Sequence, residues 1–305
     1  MAAAMIVDLP DTDTGAVNKK LLALREEDGV VTLGRVLTLV ICIRADDAEE
    51  AAAIDAAAAA GREHPCRVIV LARGRSDAAT GMDAQIRLGD GASEVVVLRL
   101  RGELRDHQDS VVMPFLLPDT PVVAWWPDHA PSAPAESAVG RLAVRRITDA
   151  TNARDPLAAI RSRRAVYSAG DTDLAWARIT RWRALLTATL DEPPYEPVTS
   201  VTVSGLRDEP ALDLLAGWLA DRLRCPVRRV VGDLRVDLIR PSETVSVSRP
   251  QDGPTATLSR SGRPDRLVAL ARRETRECLA EDLRRLDADE IYAGALDGLE
   301  RVSHD

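Results

Sequence analysis

What this chain lacks is informative. No apolar run reaches the roughly 18–20 residues that a membrane-crossing helix needs. The longest, Val36 to Ile43, is interrupted by Thr38 and has the length of a strand. No basic excess is present either: among 305 residues the formal charge is −8, which argues against a general nucleic-acid binder. Composition is 46% hydrophobic and 29% charged, so disorder throughout is excluded. The four cysteines, Cys42, Cys66, Cys225 and Cys278, form no CxxC pair. That suits a reduced protein better than a disulfide scaffold. The opening MAAAMIVDLPDTD has no basic segment followed by an apolar core, so no secretory leader is expected and the expected location is the cytoplasm.

Catalytic signatures are missing as well. No GxGxxG follows the first buried strand, so the glycines that let a backbone approach a pyrophosphate are not there. Neither a phosphate-binding GxxxxGKS/T nor an HExxH, GxSxG or paired CxxC occurs. The four histidines (His64, His107, His129, His304) stand apart in sequence and read as surface or capping residues. The expectation is a protein that is not an enzyme, with no catalytic residues, no cofactor and no metal.

What is present is an α/β pattern. Residues 36–43 and 66–73 are continuous apolar, β-branched runs of the kind covered on both faces in parallel sheets. The Ala-rich stretch 46–60 between them reads as a crossover helix, giving a βαβ unit. Residues 14–28 carry apolar side chains at helical spacing up to Gly29. Strands are expected at 82–88 and 94–100, around the turn Gly89-Asp90-Gly91, and at 121–126 and 142–148. Helices are expected at 106–117, where Pro114 kinks or shortens the run, and at 155–164. Beyond Asp171 the texture changes to a long helix over 173–190, a strand at 198–204 and a helix at 209–224. Several short antiparallel strands between 227 and 268 and a long helix over 266–286 follow. The fold class is therefore two α/β domains. Residues 1–167 form a Rossmann-like domain with a mainly parallel sheet, and residues 168–305 a second domain with a mixed sheet and helices.

Only 5 Trp, 3 Tyr and 1 Phe occur, which makes each Trp a marker. Trp182 and Trp218 fall on apolar helical stripes and read as core. Trp176 lies about 240° around a continuous helix from Trp182, alongside Thr180 and Arg183. It is either covered by the other domain or offered to a partner, together with Arg178 and Arg183, since Trp and Arg are favoured hot-spot types. Trp125 and Trp126 close a strand and point to opposite faces, marking either packed rings or a crevice at the carboxyl ends of strands. Residues 141–183 hold ten Arg against four Asp, a basic band that is either a solvated face or a receiver for an acidic or phosphorylated partner. Cys42 and Cys278 read as buried. Cys66 and Cys225, each beside a proline, are the candidates for a redox role.

Five separated blocks carry a resemblance over nearly the whole chain. They are GRVLTLV (34–40), HPCRVI (64–69), DHQDSVVMPFLLPDTPVVAWWP (106–127), DLAWARITRWRALL (173–186) and CLAEDLRRLDADEIYAGAL (278–296). Together they resemble the OpcA-type glucose-6-phosphate dehydrogenase assembly proteins, from whose pattern Cys66 departs, Ser being more usual there. The resemblance implies a cytosolic, non-catalytic factor that binds glucose-6-phosphate dehydrogenase and promotes its oligomerisation or activity. Its partner-facing candidates are Trp125, Trp126, Trp176, Arg178 and Arg183. Two other readings stay open: a nucleotide or sugar-phosphate sensor or enzyme using the crevice near Trp126, and a thiol-dependent regulator acting through Cys66 or Cys225.

Overall fold

The computed structural model describes residues 5–28, 35–45, 47–88 and 94–304. The expected stop at Gly29, the block residue Gly34 and the turn at 89–91 lie outside them. Contacts divide the chain into two compact units. The first comprises residues up to Thr148 together with Thr275–Ala288, and the second Asp149–Glu274 together with Asp289–Asp305. The expected boundary at 167/168 thus differs from this division: the chain parts at 148/149 and later returns to the first unit.

The first unit runs β1 (Met5–Thr12), α1 (Thr14–Asp28), β2 (Leu37–Arg44), α2 (Asp47–Gly61), β3 (Cys66–Arg73), β4 (Gly81–Leu88), β5 (Glu94–Arg101), α3 (Gln108–Val112), β6 (Val122–Trp126) and β7 (Arg145–Thr148). Its strands lie in the order β1-β4-β5-β3-β2-β6-β7. Pairing is parallel from β5 through β7 and antiparallel at β1–β4 and β4–β5. The sequence explains the contrast. In β2 and β3 all but the last residue is buried, as central parallel strands demand, whereas β4 alternates between buried and half-buried positions. Pro114 ends α3 as expected, in a short 3-10 turn at Met113–Phe115. From β2 the chain winds outward through β3 and β5, then reverses to place β6 and β7 on the other side. The boundary of β2 and β6 is therefore a topological switch point.

The second unit contains α4 (Pro156–Val166), β8 (Asp171–Asp173), α5 (Leu174–Arg178), α6 (Thr180–Leu190), β9 (Ser200–Gly205), α7 (Pro210–Leu223), β10 (Val227–Val231), β11 (Arg235–Ile239), β12 (Thr244–Ser248), β13 (Thr255–Arg260) and β14 (Arg266–Ala269). Helix α8 (Thr275–Leu283) belongs to the first unit, where it packs on α2. The second unit resumes with α9 (Glu290–Gly298) and β15 (Val302–His304). Its mixed sheet has the order β14-β13-β12-β11-β9-β10-β15. Only β9–β10 and β10–β15 are parallel. Helices α7 and α9 approach so closely that a Cβ on Gly298 would sit 1.9 Å from the Gly217 carbonyl oxygen, which only glycine permits.

Two expected helices are corrected. The run 173–190 is not continuous: Ile179, at φ −96° and ψ 5°, separates α5 from α6. The run 266–286 is not one helix either. Its first residues pair with β13 as the edge strand β14, leaving Leu267 77% exposed, and only 275–283 is helical. Ladder pairing outweighed helical spacing there, since a strand's hydrogen bonds are available wherever a sheet edge is open.

Candidate functional site

The break at Ile179 decides the fate of Trp176. A continuous helix would turn it away from the stripe of Trp182; the break resets the phase, and both rings are buried in the apolar core of the second unit. Trp176 Nε1–H donates to Asp289 at 2.8 Å. The other carboxylate oxygen of Asp289 accepts the backbone N–H groups of Ile291 and Tyr292, capping α9. Arg183 lies over the Trp176 ring, 3.6 Å from its centroid, in cation–π geometry, and Tyr292 packs at 5.9 Å. Arg178 holds the fully buried carboxylate of Asp149 through two hydrogen bonds of 2.8 and 2.7 Å. The Trp176, Arg178 and Arg183 candidates therefore build one structural corner, in which Trp176 is buried and Arg178 and Arg183 are half-buried. Trp182 is core as expected, whereas Trp218 is only half-buried against it.

The basic band meets the same fate at Arg145, whose side chain is buried on Asp282 at 2.6 Å. A cluster that the sequence did not disclose lies at the start of β5. Glu94, with no exposed side-chain surface, is met by Arg25 at 2.6 Å, Arg67 at 2.8 Å and Arg35 at 3.1 Å. Burial acts to raise its carboxyl pKa, but the hydrogen bond from Arg25 and the charges of Arg67, Arg35 and Arg25 outweigh burial and hold it below the ordinary range. Burial in turn lowers Arg67 to about 10 against the pull of Glu94.

Trp125 and Trp126 are both buried, and Trp126 borders an opening. A cavity of about 540 Å³ sits in the first unit beyond the carboxyl ends of β2, β3 and β6. This is the switch point at which open α/β sheets gather ligands. Cys42 and Ile43 floor it, and Arg44, Arg73 and Arg105 line it with Asp106, Gln108 and His129. Three Arg against one Asp leave a formal excess of two positive charges. Arg73 donates to Asp106 at 2.7 Å, and His129 lies 2.6 Å from Asp128. Gln108 Nε2 and Arg105 Nε are shielded from solvent without a hydrogen-bond partner among the described residues. The sequence had flagged Trp126 but gave no sign of these arginines, which lie in three separate segments.

The thiols offer little chemistry. None of the four cysteines forms a disulfide among the described residues, and Cys66 is fully buried. Burial pushes the Cys42 thiol up to about 12 and also raises Cys225, so neither favours the reactive thiolate. No group of three metal-ligating side chains occurs among the described residues, and no helix among them is long and apolar enough to cross a membrane.

Comparison with known proteins adds the family. No curated protein matches the chain. A solved structure described as trehalose-6-phosphate from E. coli bound with UDP-2-fluoro glucose aligns at 10% identity and a TM-score of 0.28, covering 64% of this chain and 64% of its own. At that similarity it bears on neither fold nor ligand. Residues 57–165 match the model of a glucose-6-phosphate dehydrogenase subunit N-terminal domain, and residues 169–296 that of the corresponding C-terminal domain. With the two models matched in series from residue 57 to residue 296, the chain belongs to the OpcA family of glucose-6-phosphate dehydrogenase subunits.

Proposed function

We propose that this protein is a non-catalytic partner of glucose-6-phosphate dehydrogenase that promotes its oligomerisation or activity, and so acts as a cytoplasmic effector of the oxidative pentose phosphate pathway and of NADPH supply. The observation that carries the proposal is the serial match of both family domains, in chain order, over residues 57–165 and 169–296. A partner of this kind works by binding one state of its target more tightly than another. Each tenfold shift in the target's assembly equilibrium needs about 1.4 kcal/mol of such differential affinity. The contact would run through exposed side chains rather than through Trp125, Trp126 or Trp176, all of which are buried. The thiol-switch alternative finds no support at Cys225, where burial disfavours a thiolate, and Cys66 is buried.

The test is kinetic. Purified dehydrogenase is assayed for NADP reduction across a titration of this chain, with the chain alone as control. A saturable change in rate, with no turnover by the chain alone, is expected. A flat titration, or turnover by the chain without the dehydrogenase, contradicts the proposal.

A further inference from the structure

The cavity at the β2/β6 switch point gathers positive charge that its own acidic lining does not match. Arg44 and Arg73 end β2 and β3 as register partners, so two guanidinium groups leave adjacent parallel strands side by side and both line the cavity. Like charges on directly paired positions repel, and such a pair persists at no advantage to the fold alone. Arg73 is answered by Asp106, whereas Arg44 has no ion pair or hydrogen bond among the described residues. Arg105 approaches Asp106 only to 3.9 Å, and its Nε, like Gln108 Nε2, is shielded and unpartnered. A buried donor without an acceptor is costly unless something else completes it. Donors and positive charge converge here, in a cavity of a size usual for small-ligand sites and at a position where the topology leaves an opening.

We infer that this cavity binds a small phosphorylated metabolite, its phosphate dianion held by Arg44 and Arg73 and its polar body by Arg105 and Gln108. A guanidinium fork matches phosphate oxygens in geometry as well as charge, and two of them meet a dianion without residual charge. Trp126, itself buried, lines the same cavity. No glycine-rich loop is involved, which is why the sequence motifs for phosphate recognition are silent here. The site belongs wholly to the first unit and stands independently of the proposed dehydrogenase partner. A sugar phosphate and a mononucleotide share the phosphate monoester that the arginines would read, and the experiment separates them.

The full chain is titrated calorimetrically, without any dehydrogenase, with inorganic phosphate, glucose 6-phosphate and AMP, and its melting temperature is followed in parallel. One ester should bind saturably and more tightly than inorganic phosphate, with a rise in melting temperature. The better of the two esters identifies the body of the ligand. Arg44→Gln and Arg105→Gln should each weaken that binding about tenfold or more. Arg44 is exposed and has no ion pair among the described residues, so Arg44→Gln should keep the melting temperature of the free protein. The proposal is overturned if neither ester binds at about 10 mM, well above a weak dissociation constant of about 1 mM. It is equally overturned if inorganic phosphate binds as well as both esters, or if a folded Arg44→Gln variant binds like the parent.

Discussion

Two corners of this molecule are built from the same residue types, Trp and Arg, and they differ in how completely those residues are partnered. Around Trp176 the indole N–H meets Asp289, Arg183 covers the ring, and Arg178 is locked on Asp149. Around Trp126, Arg44 has no ion pair and the buried nitrogens of Arg105 and Gln108 have no hydrogen-bond acceptor among the described residues. Composition alone does not separate the two corners, since both are rich in hot-spot residue types. Pairing of the exposed charge separates them: a cluster whose indole N–H and carboxylates are met stabilises a fold, and an exposed guanidinium with no ion pair among the described residues is available to a ligand.

The comparison can be broken most sharply at Trp176. Trp176→Ala should destabilise the protein by about 3–5 kcal/mol, the usual cost of deleting a large buried aromatic. Urea denaturation measures this directly, and a near-parental midpoint would return Trp176 to the surface. Glu94→Gln should cost about 3 kcal/mol, because three arginines lose the carboxylate they share. The pH dependence has a defined sign. The folded carboxyl of Glu94 lies below the ordinary 4.5, so its contribution is complete above the unfolded pKa and disappears as pH falls through the folded value. Melting curves of parent and variant should therefore diverge at neutrality and converge in acid. Parallel curves at all pH values would remove Glu94 from the account.

On the open side, effects on stability should be small. Arg44→Gln should move the free protein by no more than about 0.5 kcal/mol, as surface changes do. A large loss would mean that Arg44 supports the fold. The smallest effect concerns the thiols: dithiothreitol should leave the melting temperature and any action on the dehydrogenase unchanged, since no cysteine forms a disulfide among the described residues. A reductant-dependent rate effect would revive the redox reading through Cys66 or Cys225.

Much of the first sheet was legible because buried parallel strands write themselves as unbroken apolar runs. LTLVICI and VIVLA could be little else, and the crossover helix between them followed from Ala content and length. The second unit was harder. The periodicity of 173–190 is helical throughout, and nothing local announced the break at Ile179, so Trp176 was placed on the wrong face. Likewise Leu267 and Leu270 fit a helical stripe, but β13 offered an edge whose pairing no short window contains. Strand β1 was not anticipated, because its alternation is weak and its partner β4 lies some seventy residues away. Of the candidate site, Trp126 was readable from its place at a strand end. Arg44, Arg73 and Arg105 were not, because only the parallel register of β2 and β3 and the turn after β5 bring them together.

The central claim is association with glucose-6-phosphate dehydrogenase, and sedimentation velocity of an equimolar mixture tests it most directly. The account predicts a boundary that sediments faster than either protein alone and contains both chains. Two independent boundaries, each at the position of its isolated protein across the accessible concentration range, would contradict it.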